Sequence, residues 1–120
     1  MAVYFLTNNA AGLLKAFNQA IANTQPANGS RVTTWRHVLH QGQNFYTHTS
    51  ANWADKCWFR ADVEDNRLAI HILPFQNVKL TRETYAYYAG HLIETFIRHF
   101  PTIFTMAQAT PNATGSDSAF

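Results

Sequence analysis

Two apolar runs joined by two turn residues constrain this chain more than anything else in it. Residues 56–64 and 67–75 flank Asp65-Asn66, a dipeptide suited to a two-residue hairpin. Setting Glu64 opposite Arg67 makes Val63 face Leu68, Ala61 face Ile70 and Phe59 face Ile72. Every pair on that face is apolar. The other face pairs Asp62 with Ala69, Arg60 with His71 and Trp58 with Leu73. A one-residue slip would send each side chain to the opposite face and destroy the agreement, so the pattern predicts both the hairpin and its register.

A second hairpin is predicted from 31–39 and 43–50 around Gln41-Gly42, with Leu39 opposite Asn44. Here the alternation is ambiguous. One face carries Val32, Thr34, Arg36, Val38, Phe45, Thr47 and Thr49, the other Thr33, Trp35, His37, Leu39, Tyr46 and His48. By analogy with the aliphatic face of the first hairpin, Val32, Val38 and Phe45 are expected inward. The reverse, with Trp35, Leu39 and Tyr46 inward, stays open.

Two amphipathic helices complete the plan. After a short strand at 3–6, Thr7-Asn8-Asn9 offers N-caps, and Leu13, Leu14, Phe17 and Ile21 recur at helical spacing until about residue 23. Gln25-Pro26 and Asn28-Gly29 break the pattern. Thr81 caps a second helix that runs to about 100, halted by Pro101, with Tyr85, Tyr88, Ala89, Leu92, Phe96 and Phe100 as its core stripe. The expected architecture is an α+β two-layer sandwich of order β-α-β-β-β-β-α, in which both helices cover one face of an antiparallel sheet. Residues 1–106 form the domain and 107–120, polar and without apolar period, are expected to be a flexible tail. That element order is shared by several fold groups and does not fix a function.

Diagnostic chemistry is absent from the sequence. There is no glycine-rich phosphate loop, serine elbow or zincin helix, so the chain is not read as an enzyme and no cofactor is expected. Cys57 is the single cysteine, which excludes an internal disulfide and CxxC zinc spacings; alternating with Phe59, Ala61 and Val63, it reads as a small buried hydrophobe. His37 and His40 point to opposite faces of a strand, and His91 with Glu94 has no second copy, so six histidines give no metal site by spacing. The nine basic residues are scattered and the net charge is only +2, which disfavours a nucleic-acid partner held by phosphate neutralisation. Without a basic n-region or a long apolar run the chain is expected to be cytoplasmic and not membrane-bound.

What remains is a surface. Charged residues make up 13% of the chain against a usual ~25%, while aromatics reach 14%, a balance that favours association. If both hairpins keep the expected sides, Trp35, His37, Tyr46, His48, Trp58, Arg60 and His71 share the face away from the helices. Aromatics and arginine are enriched in binding hot spots. The expected function is therefore a binding or accessory domain, self-associating as a homodimer through that face, with a protein or small molecule as further possible partners. A rival reading is a small enzyme or ligand binder with a pocket between the sheet and the second helix, lined by Trp53, Asp55 and His91. A third, base stacking on Trp35, Tyr46 and Trp58, is weakened because 56–59 lacks the glycine of an RNP1 motif.

Overall fold

The computed structural model describes residues 1–22, 32–76 and 78–112. Along the chain run β1 (Ala2–Leu6), α1 (Ala10–Ile21), β2 (Trp35–His40), β3 (Gln43–His48), β4 (Cys57–Val63), β5 (Arg67–Pro74), α2 (Arg82–His99) and β6 (Met106–Ala109). The strands form one antiparallel sheet in the order β2-β3-β4-β5-β1-β6. This is the expected α+β order with one strand added at the end.

The β4–β5 register is the one the alternation predicts: Val63 opposes Leu68, Ala61 opposes Ile70 and Phe59 opposes Ile72. The β2–β3 register also agrees, with Leu39 opposite Asn44. Its tight turn places Gln41 at φ 51° and Gly42 at φ 76°, the two left-handed residues a twisted hairpin favours.

Capping holds both helices at their starts. Asn9 Oδ1 accepts the Gly12 amide at 3.1 Å. A Cβ at Gly12 would lie 2.3 Å from the Asn9 side chain, so this cap needs glycine there. Thr81 Oγ1 accepts the Thr84 amide at 3.1 Å, and Glu83 at the start and Arg98 and His99 at the end suit the helix dipole. Both helices pack on one side of the sheet. Phe5 of β1 stacks on Phe96 of α2 with centroids 4.1 Å apart, and Phe17 of α1 meets Phe96 and Tyr46 at 5.2 Å each.

One expectation about sides is corrected. Trp35 and Tyr46, each 2% exposed, lie under the helices, while Val38 and Phe45 point to the opposite face of the sheet, where Phe45 packs with Trp58 and Leu73. The two large rings bury more apolar area than Val38 and Phe45 would, and the helices offer their polar atoms partners. Trp35 Nε1 donates to Thr95 Oγ1 at 2.9 Å, and the Tyr46 hydroxyl donates to Asn18 Oδ1. Val32 is on the helix side as expected, but ahead of β2: its amide bonds the Ala20 carbonyl at 3.2 Å. Leu39, although it shares a face with Trp35, overhangs the hairpin tip and is 66% exposed.

Residues 107–109, expected to begin the flexible tail, instead belong to β6 with Met106 and pair with β1. Met-Ala-Gln-Ala carries no strand alternation of its own; the free edge of β1 supplies the ladder. The rest of the tail beyond residue 112, and the Pro26 to Gly29 break, lie outside the described residues. Among the described residues, no helix is long and apolar enough to cross a membrane.

Candidate functional site

With both helices on one side, the other side of the sheet is where surface chemistry collects. Trp58 of β4 is its centre. Leu73 lies opposite it on β5, and the rings of Phe45, Phe75 and His40 surround it at 5.3, 4.7 and 5.4 Å. Its indole N–H donates to Asp55 Oδ1 at 2.9 Å. Asp55 stands at φ 58°, and its own amide bonds Thr47 Oγ1 at 3.0 Å, which tips the carboxylate over this face. There it also receives Arg36 Nη2, 3.2 and 3.1 Å from its two oxygens. Aspartate tolerates this left-handed conformation better than most residues.

Farther along the face, Asp62 Oδ2 is 3.4 Å from both Arg60 Nε and His71 Nε2, and Arg60 and His71 are cross-strand partners. At the far side the Arg67 guanidinium sits 4.0 Å above the Tyr4 ring, a cation–π contact. The face thus alternates ion pairs with a compact aromatic centre.

Of the seven residues expected on this face, Trp58, Arg60 and His71 are there. Trp35, Tyr46 and His48 are buried on the helix side. His37 is also on that side, exposed near the hairpin tip with Nε2 2.7 Å from Asn44 Oδ1. The proposed stacking trio of Trp35, Tyr46 and Trp58 is therefore split between two faces. Arg36, His40, Phe45 and Phe75 are the residues missed. The first three occupy the β2–β3 positions that the reverse choice of sides would have exposed.

The second constellation lies between the 49–56 loop and α2. Trp53 stacks on Tyr87 at 3.7 Å, and Tyr87 stacks on His91 at 4.2 Å. His48 Nε2 is 3.4 Å from His91 Nδ1. So Trp53 and His91 do converge, but Asp55, expected with them, turns to the opposite face. The Tyr88 hydroxyl, donated to the Trp53 carbonyl, ties the loop to the helix, and burial raises its pKa.

Two imidazole nitrogens 3.4 Å apart match the ~3.3 Å bite of one tetrahedral zinc. The tautomer decides against that use. Ser50 donates its backbone N–H to His48 Nδ1 at 2.9 Å, so neutral His48 carries its proton on Nε2, the atom a metal would need. That proton is donated to His91 Nδ1. Among the described residues no group of three or more His, Cys, Asp or Glu is placed to hold a metal ion.

Protonating His48 would set a second hydrogen against the Ser50 amide. Burial, reinforced by His91, holds its pKa below the usual 6.5. The sign follows: the unfolded chain binds this proton more readily than the folded one. The His48 contribution is intact above pH 6.5 and is lost as the pH falls through the folded value. Urea unfolding at pH 7.5 and 5.5 is expected to show a loss of no more than about 1.4 kcal/mol per pH unit from this group. His48→Gln is expected to flatten that dependence; an unchanged slope would show that His48 does not titrate this way.

Cys57 is wholly buried on the helix side, where burial pushes its thiol far above the usual range and leaves it unreactive. A cleft of about 400 Å³ opens at one end of the sheet, lined by Leu6, Thr7, Asn8, Asp65, Asn66 and residues 102–105, away from every candidate residue. Comparison with known proteins returned no matching family, no matching characterised protein and no matching solved structure.

Proposed function

We propose that the chain is a non-enzymatic recognition domain that works through the sheet face opposite its two helices, with a second copy of itself as partner. The observation that carries this reading is the one-sided placement of the helices. Among the described residues, the six-stranded face opposite the helices bears Arg36, His40, Arg60 and His71 around the buried Phe45–Trp58–Leu73 centre. Tryptophan and arginine surrounding a desolvated centre have the composition of a binding hot spot. The half-buried rim residues Val38, Arg60 and Phe75 supply the contacts that a partner would reach first. A cytoplasmic setting belongs to the same proposal, since the lone buried cysteine offers nothing an oxidising compartment would exploit.

The rival ligand site between sheet and α2 loses its support because Asp55 faces away from Trp53 and His91. Light scattering over a dilution series tests the proposal. The native chain is expected at twice its single-chain mass. Arg60→Ala and Val38→Asp, both at the rim, are each expected to weaken the dimer at least about tenfold, a change of 1.4 kcal/mol. A chain that is monomeric throughout, or variants that assemble like the parent, would remove self-association through this face.

A further inference from the structure

The cleft at one end of the sheet belongs to neither constellation described above. It opens where β1 and β4 stop and where α1, β5 and β6 start, so three connections meet around it. These are the β1–α1 loop, the Asp65-Asn66 turn and the segment from α2 to β6. Along β5, the rise from Arg67 to Leu73 sets the turn roughly 20 Å from the aromatic centre. A volume of about 400 Å³ lies within the roughly 300–1,000 Å³ of small-molecule sites.

Thr7, buried at 7% exposure, ties the three connections together. Its amide donates to the Asn66 carbonyl at 3.1 Å. Its hydroxyl donates to the Ile103 carbonyl at 2.5 Å and accepts the Asn9 amide at 3.0 Å. Beside it, the Leu6 carbonyl accepts both the amide and the hydroxyl of Thr105, at 2.9 and 3.2 Å. The walls of the cleft are thus held by the protein's own hydrogen bonds, which spares a ligand the cost of ordering them.

Those ties use backbone groups and the Thr7 and Thr105 hydroxyls. The side chains of Asn8, Asp65, Asn66 and Thr102 also line the cleft, and none of them has a hydrogen-bond partner among the described residues. Ile103 and Phe104 supply an apolar wall, with the Phe104 ring held edge-on by Phe5 at 5.2 Å. This lining selects by charge and by hydrogen-bond type. It holds one carboxylate and, among the described residues, no cationic side chain, so an anion would be repelled by Asp65. The start of α1 does not offset that, because Asn9 Oδ1 already accepts the Gly12 amide. An organic ammonium would suit Asp65 but carries donors only, which leaves the amide hydrogens of Asn8 and Asn66 unmatched. A hydroxyl both donates and accepts, as two carboxamides and a carboxylate together require.

We propose that this cleft binds a neutral sugar, its ring hydroxyls on Asn8, Asp65 and Asn66 and an apolar C–H face of the ring against Ile103 and Phe104. A sugar ring combines adjacent hydroxyls with a C–H face, the same pairing of polar and apolar surface that the cleft presents. The site is separate from the sheet face proposed for self-association and shares no residue with it.

Amide NMR of the full chain, titrated with the methyl glycosides of glucose, galactose, mannose and N-acetylglucosamine, tests this. Propylammonium chloride and sodium phosphate serve as the cationic and anionic comparisons. At least one glycoside is expected to give saturable shifts centred on Thr7, Asn8, Asn66 and Phe104, with weaker responses to the two ions. Asn8→Ala and Asn66→Ala are each expected to weaken that binding about three- to tenfold, the loss of one hydrogen bond. Neither position has a positive φ, and Asn66→Ala keeps the backbone carbonyl that receives the Thr7 amide, so both variants preserve the walls. No saturable shift at these residues with any glycoside, a stronger response there to either ion, or variants that bind like the parent would each overturn the proposal.

Discussion

Trp35→Ala is expected to destabilise the domain by about 3–5 kcal/mol, the cost of emptying a large buried ring site. Trp35 is 2% exposed and packs edge-on against His48, Phe59 and Tyr88 at 5.1, 5.3 and 5.4 Å. Its indole N–H also satisfies Thr95, whose hydroxyl donates back to the His91 carbonyl at 2.8 Å. For a domain whose whole stability is of order 5–15 kcal/mol, the loss would leave it marginal. Urea unfolding followed by circular dichroism measures it. A cost below about 1 kcal/mol, as expected of a surface aromatic, would mean that β2 presents its other side to the helices.

Trp58→Ala probes the opposite face and is expected to cost about 2–3 kcal/mol, less than at Trp35 because the Phe45–Trp58–Leu73 cluster is smaller than the core around Trp35. Part of that cost is polar. Removing the indole leaves Asp55 with Arg36 as its side-chain donor among the described residues, so Trp58→Phe, which keeps a ring, is expected to cost about 1 kcal/mol. If the two variants were equally destabilised, the Asp55 hydrogen bond rather than the ring packing would hold this centre. Because Trp58 contributes to stability, assembly is better probed at Arg60 or Val38.

These two tryptophans also show where sequence reasoning succeeds and where it stops. Trp58 sits in a hairpin whose one face is wholly apolar, so alternation alone fixes its side. Trp35 sits in a hairpin with aromatic or β-branched residues on both faces. The choice there depended on Thr95 and Asn18, helix residues 60 and 28 positions from their partners, and no local pattern reports such distances. The same limit applies to Asp55. Its neighbour Trp53 suggested a shared pocket, but a positive φ at Asp55 sends the two side chains to opposite sides of the sheet. The helices were legible because capping residues and 3.6-residue spacing are local signals. β6 was not, since only the free edge of β1 makes Met-Ala-Gln-Ala a strand.

The central claim, that the sheet face opposite the helices is the recognition surface, is tested most directly by amide and side-chain NMR across a dilution series. Concentration-dependent shifts are expected to cluster on Arg36, Val38, His40, Arg60 and Phe75, with the outer sides of α1 and α2 unmoved. Shifts confined to the helices, or none across the whole series, would contradict it.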